Sequence, residues 1–157
     1  MPKGFSKGFY RPRHPEKYVP GNAAKHKQGA AQNQIVFRSS WELDFCKFLD
    51  NNTRVLRWSS EPFSIPYVKP TDKRVHSYYP DFWFEYVDKN GEIIQEVIEI
   101  KPSTQTVQPT VVGKSHKQQL YESITWAINV AKWEAATQFC AKYNMKFRII
   151  NENTQFK

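Results

Sequence analysis

Residues 80–102 read PDFWFEYVDKNGEIIQEVIEIKP, two runs rich in aromatic and β-branched residues on either side of DKNG. Runs of this kind, separated by turn residues, predict an antiparallel hairpin. The turn then decides which side chains share a face, because a one-residue slip carries every side chain to the other side of the sheet. If Asn90-Gly91 formed a two-residue loop, Lys89 would face Glu92 and Asp81 would face Ile100. Glu99 would then point the other way. If Asp88 opens a type I turn and Gly91 closes it in the left-handed region, the loop has three residues and a bulge. Asp88 then faces Glu92, and Asp81 faces Glu99.

The sorting of side chains favours the second register. It gathers Phe82, Phe84, Tyr86, Ile94, Ile98 and Ile100 on one face, marred only by Glu96. Asp81, Trp83, Glu85, Val97, Glu99 and Lys101 share the other. Directly opposed residues hold their Cβ atoms roughly 4.5–5.5 Å apart. Two carboxylates at that distance need a proton or a cation to coexist. Oxygen donors of this kind suit magnesium, which retains waters when bound. Lys101 follows Glu99 by two residues, about 6–7 Å along the strand, within reach of a substrate phosphate or an attacking water. The plainer reading is a solvated polar face on which Lys101 bridges one acid, and the hairpin alone leaves both open.

The rest of the chain frames this hairpin. FRSSWELDFCKFLDNN, from Phe37 to Asn52, predicts a helix: Ser39 caps it, Glu42 stands three residues on, and Trp41, Phe45, Phe48 and Leu49 form a stripe. Short strands are expected at 54–58 and 63–68, the second pushed toward an edge by Pro62, Pro66 and Pro70. Residues 74–87 and 92–100 read as strands, and 102–114 as a loop. Helical spacing runs from Ser115 to about Tyr143, in one piece or two, and KFRII at 146–150 is a last strand. The order predicts a mixed α/β domain. Cys46 and Cys140 fall inside helical patterns and read as buried thiols. No apolar run approaches a membrane span, and the N-terminus has no apolar signal core, which predicts an intracellular protein.

Charge divides the chain unequally. Residues 1–34 hold seven Lys or Arg against one acid, Glu16, and so carry most of the net charge of +8. They are rich in Pro, Gly and Gln without a period, and read as an extended or partly ordered arm before a domain at 35–157. Lys3, Lys7, Arg11 and Arg13, interleaved with Phe5, Phe9 and Tyr10, suit a phosphate backbone. A solvated arm that docks on a protein partner fits equally.

A helix bearing Glu42, then Pro80-Asp81, then Glu99-Ile100-Lys101 resembles the PD-(D/E)xK nuclease superfamily. More narrowly, FRSSWELDF, YYPDFWFEY, EVIEIKP and NVAKWEAATQFC look like the head-completion nucleases of T-even-type bacteriophages, whose core is related to TnsA-type transposase endonucleases. The resemblance spans roughly residues 35–151. It implies a restriction-endonuclease-like α/β domain, a mixed sheet with a central antiparallel hairpin flanked by helices. It also implies a magnesium-dependent endonuclease on double-stranded DNA, with manganese as a substitute metal, acting in head completion after packaging. Asp81 and Glu99 would hold the metal, Glu42 would complete the acidic cluster, and Lys101 would stabilise charge or orient water. Glu42 has a competing role in closing a capping box with Ser39. Arg38 would contact phosphate or make a surface salt bridge, and Lys132, on the helix after the site, would contact DNA or simply face solvent. His116 reads as a solvated loop residue. Head, portal or neck proteins are the implied partners, and the host cytoplasm or the virion the implied location. A non-catalytic head-completion protein and a transposase- or restriction-like endonuclease are the rivals. The absence of a recognisable recognition domain counts against sequence-specific cutting.

Overall fold

The computed structural model describes residues 7–21 and 34–154. Among them are eight strands and two α-helices. Helix α1 (Ser40–Asn51) begins as its sequence directs, with Ser39 Oγ accepting from the Glu42 amide at 3.1 Å. It buries Phe45, Cys46 and Leu49. The central sheet has the order β3 (Val55–Ser60), β6 (Phe82–Val87), β7 (Ile93–Ile100) and β8 (Lys146–Ile150). Its first three strands are antiparallel, and β8 runs parallel to β7. The crossover between those two carries α2 (His116–Lys142). This is the mixed sheet with a central antiparallel hairpin between helices that the family resemblance implies.

The hairpin takes the bulged register. Phe82 pairs with Ile98, and the ladder runs without a slip to Val87 and Ile93. At the turn the Gly91 amide donates to Asp88 O at 3.0 Å, and the Asp88 amide to Glu92 O at 2.8 Å. Asp88 Oδ1 accepts from the amides of Asn90 and Glu92. Gly91 has φ of 81°, a conformation that costs an L-residue about 1–2 kcal/mol. A Cβ at Gly91 would meet nothing within 4 Å. Gly91→Ala should therefore lose about 1–2 kcal/mol in urea denaturation for conformational reasons alone.

Each face of the sheet has its own core. Phe82, Phe84, Ile98 and Ile150 pack with Phe45, Leu49 and Trp58 on the α1 side. Each such buried side chain contributes about 1.5–3 kcal/mol. On the other side Trp133 and Ala136 of α2 pack with Phe147, Ile149 and a small hairpin of β4 (Ile65–Val68) and β5 (Val75–Tyr78). Glu96, the misfit on the apolar face, accepts from Tyr86 Oη at 2.5 Å and Arg148 Nε at 2.8 Å. Cys46 and Cys140 are free and buried. No helix among the described residues is long and apolar enough to cross a membrane.

Helix α2, expected in one piece or two, is continuous. Three features differ from the sequence reading. Residues 74–87 form two strands, not one, with a break at Tyr79-Pro80-Asp81, because Pro80 has no N–H to give a ladder. Ile35–Phe37 is a strand, β2, paired antiparallel with β1 (Gly8–Tyr10). And residues 7–21, assigned to the arm, pack on the domain. Tyr18 is 8% exposed, its ring 4.8 Å from Trp58. Lys17 Nζ donates to the carbonyls of Leu49, Asp50 and Asn52 at the end of α1. Gly21 passes so close to the end of β3 that a Cβ would stand 2.2 Å from Glu61 O.

Candidate active site

Glu99 lies near the end of β7, on the face turned to α2, and is 7% exposed. Its Oε1 accepts from Tyr78 Oη at 2.7 Å, and Lys101 Nζ stands 3.6 Å from Oε2. Asp81 occupies the bend that Pro80 makes before β6. Its amide donates to Ile98 O at 3.1 Å, and its Oδ2 accepts from the Ile100 amide at 2.8 Å. The ladder thus stops at Phe82 and Ile98, one step short of the direct Asp81–Glu99 pairing expected. The bend instead hooks the Asp81 carboxylate onto the backbone beside Glu99. The two acids still share one region, by a different local geometry.

Glu42 approaches from the first turn of α1. Its Oε2 accepts from the Arg38 amide at 3.2 Å. It closes the cap one residue upstream of Ser39, so the capping role is real. Its charge also bears on Asp81 and Glu99. Lys132, on α2, stands over the rings of Tyr67 and Tyr78 at 5.8 and 5.7 Å, and its charge reaches Glu99.

The electrostatics follow from this crowding. Burial raises the Asp81 carboxyl well above the usual range, and the charges of Glu99 and Glu42 raise it further. Burial also raises Glu99, against the pull of Lys101, the Tyr78 hydroxyl and Lys132. Glu42 is raised by burial, which its bond to Arg38 opposes. Burial and Glu99 together keep the Tyr78 phenol protonated, a fixed donor. Asp81 and Glu99, with the charge of Glu42 bearing on them, make a region where a proton or a cation relieves repulsion.

Among the described residues no group of three His, Cys, Asp or Glu side chains stands close enough to hold a metal ion together. Magnesium does not need one: it is usually held by one or two carboxylates, with waters and substrate phosphates completing its shell. Asp81 and Glu99 each commit oxygen to a bond that orients the carboxylate, and their donor set fits such an ion.

The remaining expected residues are dispersed. Arg38 Nη1 pairs with Glu61 Oε1 at 3.2 Å, the salt-bridge option. Arg11 and Arg13 lie on the segment packed beside α1, where the Arg13 amide is tied to Asp50. Asp50 lies eight residues beyond Glu42, about 12 Å along α1. Lys7 is exposed on the approach to β1, and Lys3 lies outside the described residues. His116 is the exposed first residue of α2. Two site neighbours escaped the sequence reading. Tyr78 carries a weak signal, an aromatic residue just before the Pro-Asp bend. Glu61, whose amide donates to Asp81 O at 2.8 Å from a backbone of φ 47°, carries none.

The family model for the N-terminal region of TnsA-like endonucleases matches residues 52–152, which include Asp81, Glu99, Lys101 and Lys132. The chain is also similar to the head completion nuclease of Enterobacteria phage T4. The two are 33% identical over 141 residues, which cover 87% of this chain and 90% of that protein.

Proposed function

Because the chain belongs to the TnsA-like endonuclease family, and is a nuclease of restriction-endonuclease-like fold, we propose that it hydrolyses DNA phosphodiesters with magnesium at Asp81 and Glu99. The observation that carries this reading is the meeting of those two carboxylates, both pushed toward protonation, beside the Lys101 ammonium. The phage T4 relative is a head completion nuclease. By extension we assign this chain to the same stage, acting on DNA once a head has been filled.

Asp81 and Glu99 would hold the ion, with Glu42 adding negative charge from α1. When bound there, magnesium supplies polarisation of the phosphate and acidification of water. The protein's own groups do the positioning. Tyr78 Oη and the Ile100 amide each fix one carboxylate oxygen, so the acids keep their orientation when the substrate arrives. Lys101 balances Glu99 in the free enzyme and offsets charge that develops on the phosphate as the bond breaks. Lys132 adds a second cation on the α2 side.

The test is cleavage of linear and circular duplex DNA with magnesium, with manganese and with chelator. Cutting should require the metal. Lys101→Met should lower kcat by about 10²–10³-fold, the usual effect of losing one electrostatic donor. DNA binding without cutting under every metal condition would favour a structural head-completion role instead. Equal cutting in chelator would sink the metal reading.

A further inference from the structure

The loop after Lys101 and the first half of α2 line an open cavity of about 490 Å³, within the range of small-ligand sites. Trp126, Tyr121, Asn129, Gln105 and Thr125 line it. Asn129 is 7% exposed, and its side chain forms part of the wall. Trp126 is held by Trp133, the rings 5.9 Å apart and at 80°. Tyr121 is 68% exposed. Lys114 and Glu122, also in the wall, neutralise each other at 2.5 Å. The lining therefore offers aromatic surface and neutral donors and acceptors, without net charge. That chemistry fits neither a phosphate nor a metal. It fits a flat, uncharged group with hydrogen-bonding edges, which describes a nucleobase.

The place of the cavity supports that reading. Asn129 precedes Lys132 by three residues on α2, so the two are neighbours on one helix face. Lys132 stands over Tyr78, whose hydroxyl holds Glu99. From the other side, Gln105 is only four residues beyond Lys101. A strand whose phosphate lies at Asp81 and Glu99 would bring an adjacent base to this opening. A base stacked in a duplex cannot enter it.

We infer that the cavity receives one unstacked nucleobase next to the cleaved phosphate. The enzyme would therefore favour DNA with an unpaired nucleotide beside the cut, as at an overhang, a nick or a branch. This rests on the nuclease reading above.

The test measures binding of the full chain in chelator, where DNA stays intact. Duplexes with a single-stranded overhang carry 2-aminopurine, or an abasic nucleotide, at successive positions across the junction. At one position the 2-aminopurine emission should be quenched, and removal of the base should weaken binding about 10-fold, as expected for loss of one aromatic stack. That difference should shrink to about 2-fold or less in Trp126→Leu and in Asn129→Ala. Asn129→Ala makes the smaller change, and guards against a packing defect in the tryptophan variant. The inference is overturned if no position discriminates base from abasic site, or if both variants keep the full difference; the cavity would then serve a protein side chain. Such a result would leave magnesium-dependent cleavage intact, so it is separable from failure of the nuclease reading, which the cleavage assay reports.

Discussion

Asp81→Asn should abolish DNA cleavage, by ~10³-fold or more, without weakening the metal-free protein at neutral pH. The two halves of this result have one cause. Asp81 is half-buried in the bend before β6, and the charges of Glu99 and Glu42 bear on it. Burial and those charges raise its carboxyl in the folded state well above the ordinary aspartate range. A carboxyl raised on folding favours the fold while protonated. That contribution is full below the unfolded pKa and is lost as the pH climbs from there through the folded value. At neutral pH the ionised group is therefore a burden on the fold. Asparagine removes the burden and still offers an oxygen to the Ile100 amide, which Asp81 Oδ2 engages at 2.8 Å. Melting in chelator should show the variant equal to or above the wild type at pH 7, with the gap closing below about pH 4. Magnesium should stabilise the wild type, by about 2.7 kcal/mol at a hundred times its Kd, and leave the variant nearly unmoved. An Asp81→Asn protein that cuts at the wild-type rate would remove Asp81 from the site.

Why this residue could be found in the sequence, and others not, has a physical basis. The register of β6 and β7 was legible because one choice sorts six apolar side chains to a single face and the other does not. Glu99 and Lys101 follow from that register directly. The α1 cap was legible because Ser39 and Glu42 interact within one turn. The break at Pro80 was foreseeable from the missing N–H, yet the aromatic run through Tyr78 and Tyr79 concealed it. The consequence falls on the site: Asp81 reaches Glu99 through a bend, not through a ladder pair. Strand β2 left no trace, because three residues carry no period and its partner β1 lies more than twenty residues away. Glu61 and Tyr78 join the site through tertiary contacts. Glu61 has no local pattern that a sequence could display, and Tyr78 shows only its place before the Pro-Asp bend.

A chain that begins at residue 35 should unfold, although every proposed catalytic group lies beyond that point. From composition, residues 1–34 read as a basic arm whose removal would spare the chemistry. The structure gives part of that arm a different task. Tyr18 fills the core against Trp58, and removing a buried aromatic of this size costs about 3–5 kcal/mol. Asp50, fully buried on α1, accepts from Tyr10 Oη and from the amides of Arg13 and His14. Truncation would strip the carboxylate of these donors, and hydrogen bonds to charged groups are worth about 1.5–3 kcal/mol each. The carbonyls of Leu49, Asp50 and Asn52 would lose Lys17 as well. Together these losses rival the roughly 5–15 kcal/mol that holds a domain of this size folded. Circular dichroism should show the shortened chain unfolded or molten, whereas a chain that begins at residue 7 keeps every one of these contacts. Tyr18→Ala alone should lose about 3–5 kcal/mol in urea. Whether the arm binds DNA must then be asked with its fold preserved. The side chains of Lys7, Arg11 and Arg13 are absent from these packing contacts, and replacing all three with Gln leaves the packed residues untouched. If each meets a phosphate, the slope of log K against log salt should become shallower by about 2.7, at about 0.9 per contact on duplex DNA. A slope that does not change would assign the arm to a protein partner, and a shortened chain that folds and cuts normally would refute the structural role of Tyr18 and Lys17.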